Sequence, residues 1–167
     1  HTCVELLNLG HQIIALDNYA NSRPTALSRV GELTGKRFPI IEADIRDGEA
    51  LAKVFSQYAV DAVIHFAGLK AVGESTQLPL SYYDNNVSGS RALLAAMEKH
   101  NVNCLVFSSS ATVYGDPDSV PITEDFPLRS TNPYGQTKLV VEQMCREVVN
   151  ANSQLSVVLL RYFNPVG

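Results

Sequence analysis

Apolar runs of about five residues alternate along this chain with longer stretches whose apolar positions recur every three or four residues. The first pattern suits buried strands and the second suits helices packed on one face. Val4-Glu5-Leu6-Leu7-Asn8-Leu9 has the helical spacing, and Gly10 is placed to close it. Gln12-Ile13-Ile14-Ala15-Leu16 reads as a strand ending at Asp17, and a polar loop runs from Asn18 to Arg23. A helix is expected from Pro24 to about Thr34, closed by Gly35, and then a strand from Phe38 to Ala43. Asp47 is positioned to cap a helix to about Tyr58, with Leu51, Val54, Phe55 and Tyr58 on one face. Ala62 to Phe66 is a strand running into Ala67-Gly68, and Pro79 to Lys99 reads as one long helix with Leu93, Leu94 and Met97 facing the core. Cys104 to Phe107 is a strand that stops at Ser108-Ser109-Ser110. After an irregular Pro- and Asp-rich stretch from Tyr114 to Asn132, a helix runs from Pro133 to about Asn152, and Ser156 to Arg161 is the last strand.

Short strands alternating with helices predict an α/β fold, a parallel sheet covered on both faces by right-handed crossovers. That is a doubly wound, Rossmann-like domain, and such sheets bind ligands beyond the carboxyl ends of their strands. The polar and small residues of this chain cluster at those ends: Asp17, Asp44, Ala67-Gly68, Ser108 to Ser110, and Tyr162-Phe163-Asn164.

Composition narrows the class. The 167 residues are 46% hydrophobic and 18% charged, as expected of one globular domain. A formal charge of −4 without a basic stripe argues against nucleic acid. No apolar run approaches the roughly 20 residues that cross a bilayer. Cys3, Cys104 and Cys145 have no metal-ligand spacing and read as reduced thiols of a cytoplasmic protein. The chain enters without methionine part-way down a helix, the pattern expected of a segment cut from a longer protein.

Thr131-Asn132-Pro133-Tyr134-Gly135-Gln136-Thr137-Lys138 carries the sharpest candidate chemistry. Pro133 suits the first helical position, and Thr131 or Asn132 suits the cap. Tyr134 and Lys138 then lie one turn apart on one face, an acid–base pair if a pocket faces them and a surface pair otherwise. Ser110, where a strand opens, can converge with Tyr134 on one hydroxyl. Asp17 is placed to accept from an adenosine ribose, which puts the Gly-rich phosphate turn about 20 residues earlier, at or before residue 1. Its carboxylate would repel the extra phosphate of NADP and so favours NAD, while a plain turn former is the alternative. Asp44 follows a strand, where an Asx-turn is the alternative to a ligand contact. Lys70 suits a pyrophosphate or simply solvent. Asn85 and Asn86 are unfavourable inside a helix, which assigns a hydrogen-bonding task to one of them. His65, inside a buried strand, reads as a core histidine.

These residues resemble the extended short-chain dehydrogenase/reductase superfamily and, within it, the UDP-glucose 4-epimerase family. The resemblance rests on Tyr-x-x-x-Lys with Ser110, on His65 to Ser75, on Tyr82-Tyr83-Asp84-Asn85-Asn86, on Ser108 to Gly115, and on Leu160 to Pro165. It implies that Asp17 and Asn18 hold the adenosine ribose, with Asn21 and Ser22 nearby, and that Asp44 and Ile45 sit by the adenine. Phe66, Ala67 and Lys70 would line the cofactor, with Asn85, Tyr134, Lys138 and Phe163 also touching it. Ser110 and Tyr134 would face the sugar and Asn164 would contact the substrate. It also implies that residues 1–167 form a partial NAD-binding domain. The first strand with its Gly-rich loop and most of a C-terminal substrate domain would lie outside them.

The implied reaction inverts carbon 4 of a UDP-hexose by transient hydride transfer to tightly bound NAD, through a 4-keto sugar. A phenol ionises near 10, so chemistry near neutrality asks for roughly 4 kcal/mol of preference for the phenolate. One positive charge about 5 Å away, at an effective dielectric near 20, supplies about 3 kcal/mol, and burial opposes it. Lys138 alone is marginal, and the positive nicotinamide ring would have to contribute. A dehydratase of the same fold needs an added acid and base, which in that family is an Asp-Glu pair after the strand bearing the serines; Ser109-Ser110-Ala111 has none. Another UDP-sugar epimerase, or an inert fragment, is the other alternative, and homodimerisation is left open. In this strand order the first strand sits between the second and the fourth. Without it two inner edges lose their ladder, so the isolated chain is expected to fold poorly and bind NAD weakly.

Overall fold

The computed structural model describes residues 1–164. Its elements keep to the expected alternation, in the order α1 (Thr2–Asn8), β1 (Ala15–Asp17), α2 (Pro24–Thr34), β2 (Ile40–Glu42), α3 (Gly48–Gln57) and β3 (Val63–His65). After these come α4 (Val72–Gln77), α5 (Pro79–Tyr82), a π-helical turn (Tyr83–Ser88), α6 (Gly89–Lys99), β4 (Cys104–Ser110), a 3-10 turn (Ala111–Tyr114), α7 (Pro133–Ala151) and β5 (Ser156–Tyr162). Every ladder among the described residues is parallel.

Local chemistry explains the boundaries. Gly10 ends α1 with positive φ, its N–H bonding Leu7 O at 3.0 Å while the next N–H, of His11, reaches Leu6 O at 3.0 Å. This is the nested pair that satisfies the last carbonyls of a helix. Asp47 Oδ1 accepts from the N–H groups of Glu49 and Ala50, both at 3.0 Å, and so caps α3. Asn132, of the two candidates, caps α7: its Oδ1 accepts from Gly135 N at 2.8 Å, with Pro133 at the first position.

The expected long helix is corrected. The helix from Pro79 to Lys99 is not uniform: α5 gives way at Tyr83 to a π-helical turn before α6 begins. Such a turn inserts an extra residue and rotates the rest of the helix about its axis. Here that places the Asn86 side chain against the loop after β3, bonded to Leu69 N at 2.8 Å and Leu69 O at 2.9 Å. The short helix α4 is a further difference, because Val72-Gly73-Glu74-Ser75-Thr76-Gln77 has no apolar period to announce it.

The doubly wound sheet is present in two pieces. β2–β1 forms one, and β3–β4–β5 forms the other, with β4 in the middle. Among the described residues no ladder joins β1 to β3. The strand order of the fold puts a strand between those two edges, and the exposure of Ile64, 37% in the middle of β3, marks the opening. The core lies on the three-stranded piece, where Leu105 and Phe107 of β4 pack with Leu51, Leu93, Leu94, Met97, Val141 and Cys145.

The inner edges of β1 and β3 are expected to be the weak part of the 167-residue chain. In native-state hydrogen exchange, amides of β4 should be protected longest and those of β1 and β3 that face away from their ladders should exchange much faster. Equal protection across β1, β3 and β4 would contradict this picture.

Candidate active site

The three serines at the end of β4 have three different tasks. Ser108 offers its backbone carbonyl to Lys138 Nζ at 2.7 Å. Ser109 turns its hydroxyl to Glu142. Ser110 ends the strand and caps the 3-10 turn, its Oγ accepting from Thr112 N at 3.2 Å and from Thr112 Oγ1 at 2.9 Å. The helix carrying Tyr134 and Lys138 lies directly on that turn. A Cβ placed on Gly135 would stand 2.4 Å from Ser130 Oγ and 2.9 Å from Thr112 O, so only glycine allows the approach. Ser110 and the start of α7 are thus brought together.

Lys138 is no surface residue: it is 5% exposed, and its ammonium lies 4.8 Å from the centre of the Phe107 ring. Burial pulls its pKa down to about 8. The loop after β3 approaches it from the other side, since a Cβ on Gly68 would lie 3.7 Å from Lys138 Nζ and 3.2 Å from Asn86 Oδ1. Asn86 ties this together, its Nδ2 also donating to Thr137 Oγ1 at 3.0 Å. Of the two asparagines, Asn86 holds the loop, while Asn85 donates to Asn86 Oδ1 at 3.0 Å and stays partly exposed. Next to this loop the fully buried Tyr82 accepts from Ala71 N at 3.0 Å and has Glu74 Oε2 at 2.7 Å. Its phenol is pushed up to about 12, first by burial and then by Glu74, with a smaller contribution from Tyr134 nearby. His65 is buried, its Nε2 2.8 Å from Ser90 Oγ; burial, aided by the Lys138 charge, takes its pKa down to about 3 and keeps it neutral.

A second cluster sits at the ends of β1 and β2. Asp17 Oδ1 accepts from Tyr19 N at 2.8 Å and Ser22 Oγ at 2.9 Å, and among the described residues Oδ2 has no hydrogen-bond partner. Asn18 Nδ2 donates to Asp44 Oδ2 at 2.9 Å. Arg46 grips Asp44 from its backbone N–H and its guanidinium, which holds the Asp44 carboxyl well below the usual carboxylate range. Asn21 is exposed beside them. The Ile45 side chain is 7% exposed and packs on Gly89, so it is a core contact. Phe66 and Phe163, 51% and 57% exposed, flank the strand ends. Lys70 and Asn164 are exposed there too, and neither side chain makes a hydrogen bond among the described residues. Pro165 lies outside the described residues. The cavity of about 500 Å³ between α7 and β5, lined by Cys145, Arg146, Val149, Leu155 and Leu159, is not at these strand ends.

Comparison with known proteins fits this geometry. The model of the NAD dependent epimerase/dehydratase family matches residues 1–167. The chain belongs to that family. Among epimerase/dehydratase relatives, the UDP-glucose 4-epimerase of Bacillus subtilis is 60% identical over 167 residues, which is all of this chain and 49% of that protein. The UDP-glucose 4-epimerase of Dictyostelium discoideum is 52% identical over the same length, 48% of it. The structure of UDP-glucose 4-epimerase from Bifidobacterium longum in complex with NAD+ and UDP superposes with a TM-score of 0.98 at 54% identity, covering all of this chain and 50% of that one. The chain therefore spans about half the length of the relatives it matches.

Sequence reasoning does not single out Thr137, Ser109, Glu142 or Arg161, and it leaves the choice between Asn85 and Asn86 open. The asparagine pair inside a helix is the legible signal for Asn86. A glutamate in the apolar half of α7 and an arginine closing the apolar run of β5 are the signals for Glu142 and Arg161.

Burial of Lys138 generates a pH-dependent prediction. Its folded pKa of about 8 lies below the unfolded value, so between the two the unfolded chain binds the extra proton and stability rises with pH. Below about 8 both states are charged and burial costs the fold about 3 kcal/mol. The difference in unfolding free energy between the native chain and Lys138→Met should therefore shift in favour of the native chain from pH 8 to about 10. A pH-independent difference in urea denaturation would refute the assignment.

Proposed function

We propose that this chain carries the cofactor-binding and catalytic groups of a UDP-glucose 4-epimerase, which interconverts UDP-galactose and UDP-glucose in galactose metabolism. The residues present fit NAD. Asp17 has one carboxylate oxygen free at the end of β1, Gly68 leaves bare backbone beside the Lys138 ammonium, and the flat apolar faces of Phe66 and Phe163 stand open. Asp17, Asn18, Asn21 and Ser22 would hold the adenosine ribose, and Asp44 with the backbone of Ile45 would border the adenine. Ala67, Lys70, Asn85, Tyr134 and Lys138 would line the rest. NAD, when bound, supplies the reversible acceptor for the hydride of carbon 4.

The chain's own groups manage the proton. Tyr134 takes it from the 4-hydroxyl and returns it at the end of the cycle. An ammonium has three N–H donors, and one of those on Lys138 is committed to Ser108 O, which fixes the direction of the others. Ser110 is the observation that carries the reading. Its Oγ accepts from Thr112 N and lies 2.9 Å from the Thr112 hydroxyl, which holds it at the mouth of β4 beside the start of α7. A hydroxyl held there is suited to a sugar oxygen shared with Tyr134. The dehydratase branch of the family asks for an added acid and base at this place, where Ser109-Ser110-Ala111 offers no carboxylate. The free thiols Cys3, Cys104 and Cys145 fit a reducing compartment, and the reading places the enzyme in the cytoplasm.

The test is interconversion of UDP-galactose and UDP-glucose by the intact protein without added NAD. Tyr134→Phe should lower kcat about 10²–10⁴-fold, the usual worth of a positioned general acid–base group. Full activity of that variant, or no interconversion by the native protein, would overturn the reading.

A further inference from the structure

The proposed chemistry uses Ser110 and leaves Ser109 aside, yet Ser109 Oγ donates to Glu142 Oε1 at 2.6 Å with both residues buried. Glu142 is 0% exposed. Its carboxylate also accepts from Arg161 Nε at 3.0 Å, Arg161 Nη2 at 2.8 Å and Arg146 Nη2 at 3.3 Å. Arg161 continues to Tyr114 OH at 2.8 Å and Glu124 O at 3.3 Å, its guanidinium 5.0 Å from the centre of the Tyr114 ring. Its pKa is raised further by Glu142 and then Tyr114, so it stays charged. One carboxylate thus joins α7, β4 and β5, and through Arg161 the 3-10 turn and the segment beyond it.

Tyr134, Lys138 and Glu142 succeed one another at four-residue intervals, along one side of α7. Lys138 is fastened to Ser108 and Glu142 to Ser109, two directional contacts one helical turn apart. A single contact would leave the helix free to roll about it. Two fix both its height and its rotation against β4. The apolar contacts of Val141 and Cys145 are non-directional and tolerate a small slide, whereas hydrogen bonds weaken steeply when misaligned. Arg161 meanwhile holds Tyr114, which closes the turn that Ser110 caps.

We infer that the buried Glu142–Arg161 pair is a positioning device that sets the register of Tyr134 against Ser110, and so governs turnover more than substrate affinity. Neither residue is placed at the sugar. The inference rests on the epimerase reading for its kinetic arm, and a second arm is independent of it.

The intact protein is compared with Glu142→Gln, Ser109→Ala and the double variant Glu142→Met/Arg161→Met. Replacing a buried ion pair with apolar groups of similar volume is often neutral for stability, so the double variant separates folding from positioning. The expected result is a folded double variant with kcat reduced about 10–100-fold and KM within about two-fold, since a misplacement near 1 Å can cost on that order. Ser109→Ala, which removes one hydrogen bond, should show a smaller loss of the same kind, and it decides the matter if the double variant does not fold. In the second arm, NMR shifts of Ser110 and of Tyr134 should move in Glu142→Gln while those of α2 do not. Native kcat in the folded double variant, losses that track only the unfolded fraction, or unmoved Ser110 and Tyr134 signals would each overturn the inference. Absence of interconversion in the native protein would sink the epimerase reading and leave the NMR arm to decide the positioning.

Discussion

The structure depends on how α7 is seated on β4, and two buried charges of opposite sign do the seating. Taking an ion out of water costs several kcal/mol, and attraction between partners offsets this only when the remaining donors and acceptors are satisfied. Glu142 meets that condition with Ser109 and the paired nitrogens of Arg161; Arg146, about half exposed, adds little. Lys138 meets it less well, with one carbonyl and the face of Phe107, and its lowered pKa records the shortfall. Apolar residues at both positions would cover β4 at least as cheaply. What they would not do is choose one register, and the residue that needs a register is Tyr134, one turn away.

The same helix shows why the open sheet matters for the site. The strong half of the molecule, β3–β4–β5 with α6 and α7, carries Ser110, Tyr134 and Lys138. The ends of β1 and β2, with Asp17 and Asp44, stand on the two-stranded piece. Contacts between α3 and α6, the Ile45 side chain on Gly89, and the ion pair of Arg46 with Asp84 at 2.5 Å connect the pieces. These are helix and loop contacts, not ladder bonds. The Ser110, Tyr134 and Lys138 cluster is therefore the better-fixed part, and its distance from Asp17 is set by the less directional packing of α3 on α6.

Most of the elements were legible because their signals are local. Asp47, Gly10, Gly35 and Pro133 each punctuate the chain through backbone chemistry that needs no tertiary partner. Tyr134, Lys138 and Ser110 were legible because spacing and strand ends place them without knowledge of packing. The π-helical turn was not: the poor helix formers from Tyr83 to Ser88 signal irregularity but not its form, which is set where Asn86 finds Leu69 and Thr137 across the fold. Glu142 and Arg161 are separated by 19 positions and meet only once α7 is packed against β5. Ile45, placed near the adenine by the family resemblance, has a side chain claimed by the core, which leaves only its backbone for that contact.

The turn-forming role of Asp17 leaves room for the binding role proposed for it. It is a turn former, since Oδ1 accepts from Tyr19 N and Ser22 Oγ and thereby stabilises the positive φ of Tyr19. Those two bonds consume one oxygen and fix the plane of the carboxylate, so the second oxygen is left pointing in one direction. A carboxylate free to rotate would lose that freedom on meeting a ribose diol and would bind it more weakly for the loss. The turn does this ordering in advance. The turn-former reading of Asp17 is therefore compatible with the proposed ribose contact, because the bonds to Oδ1 order the remaining oxygen in advance.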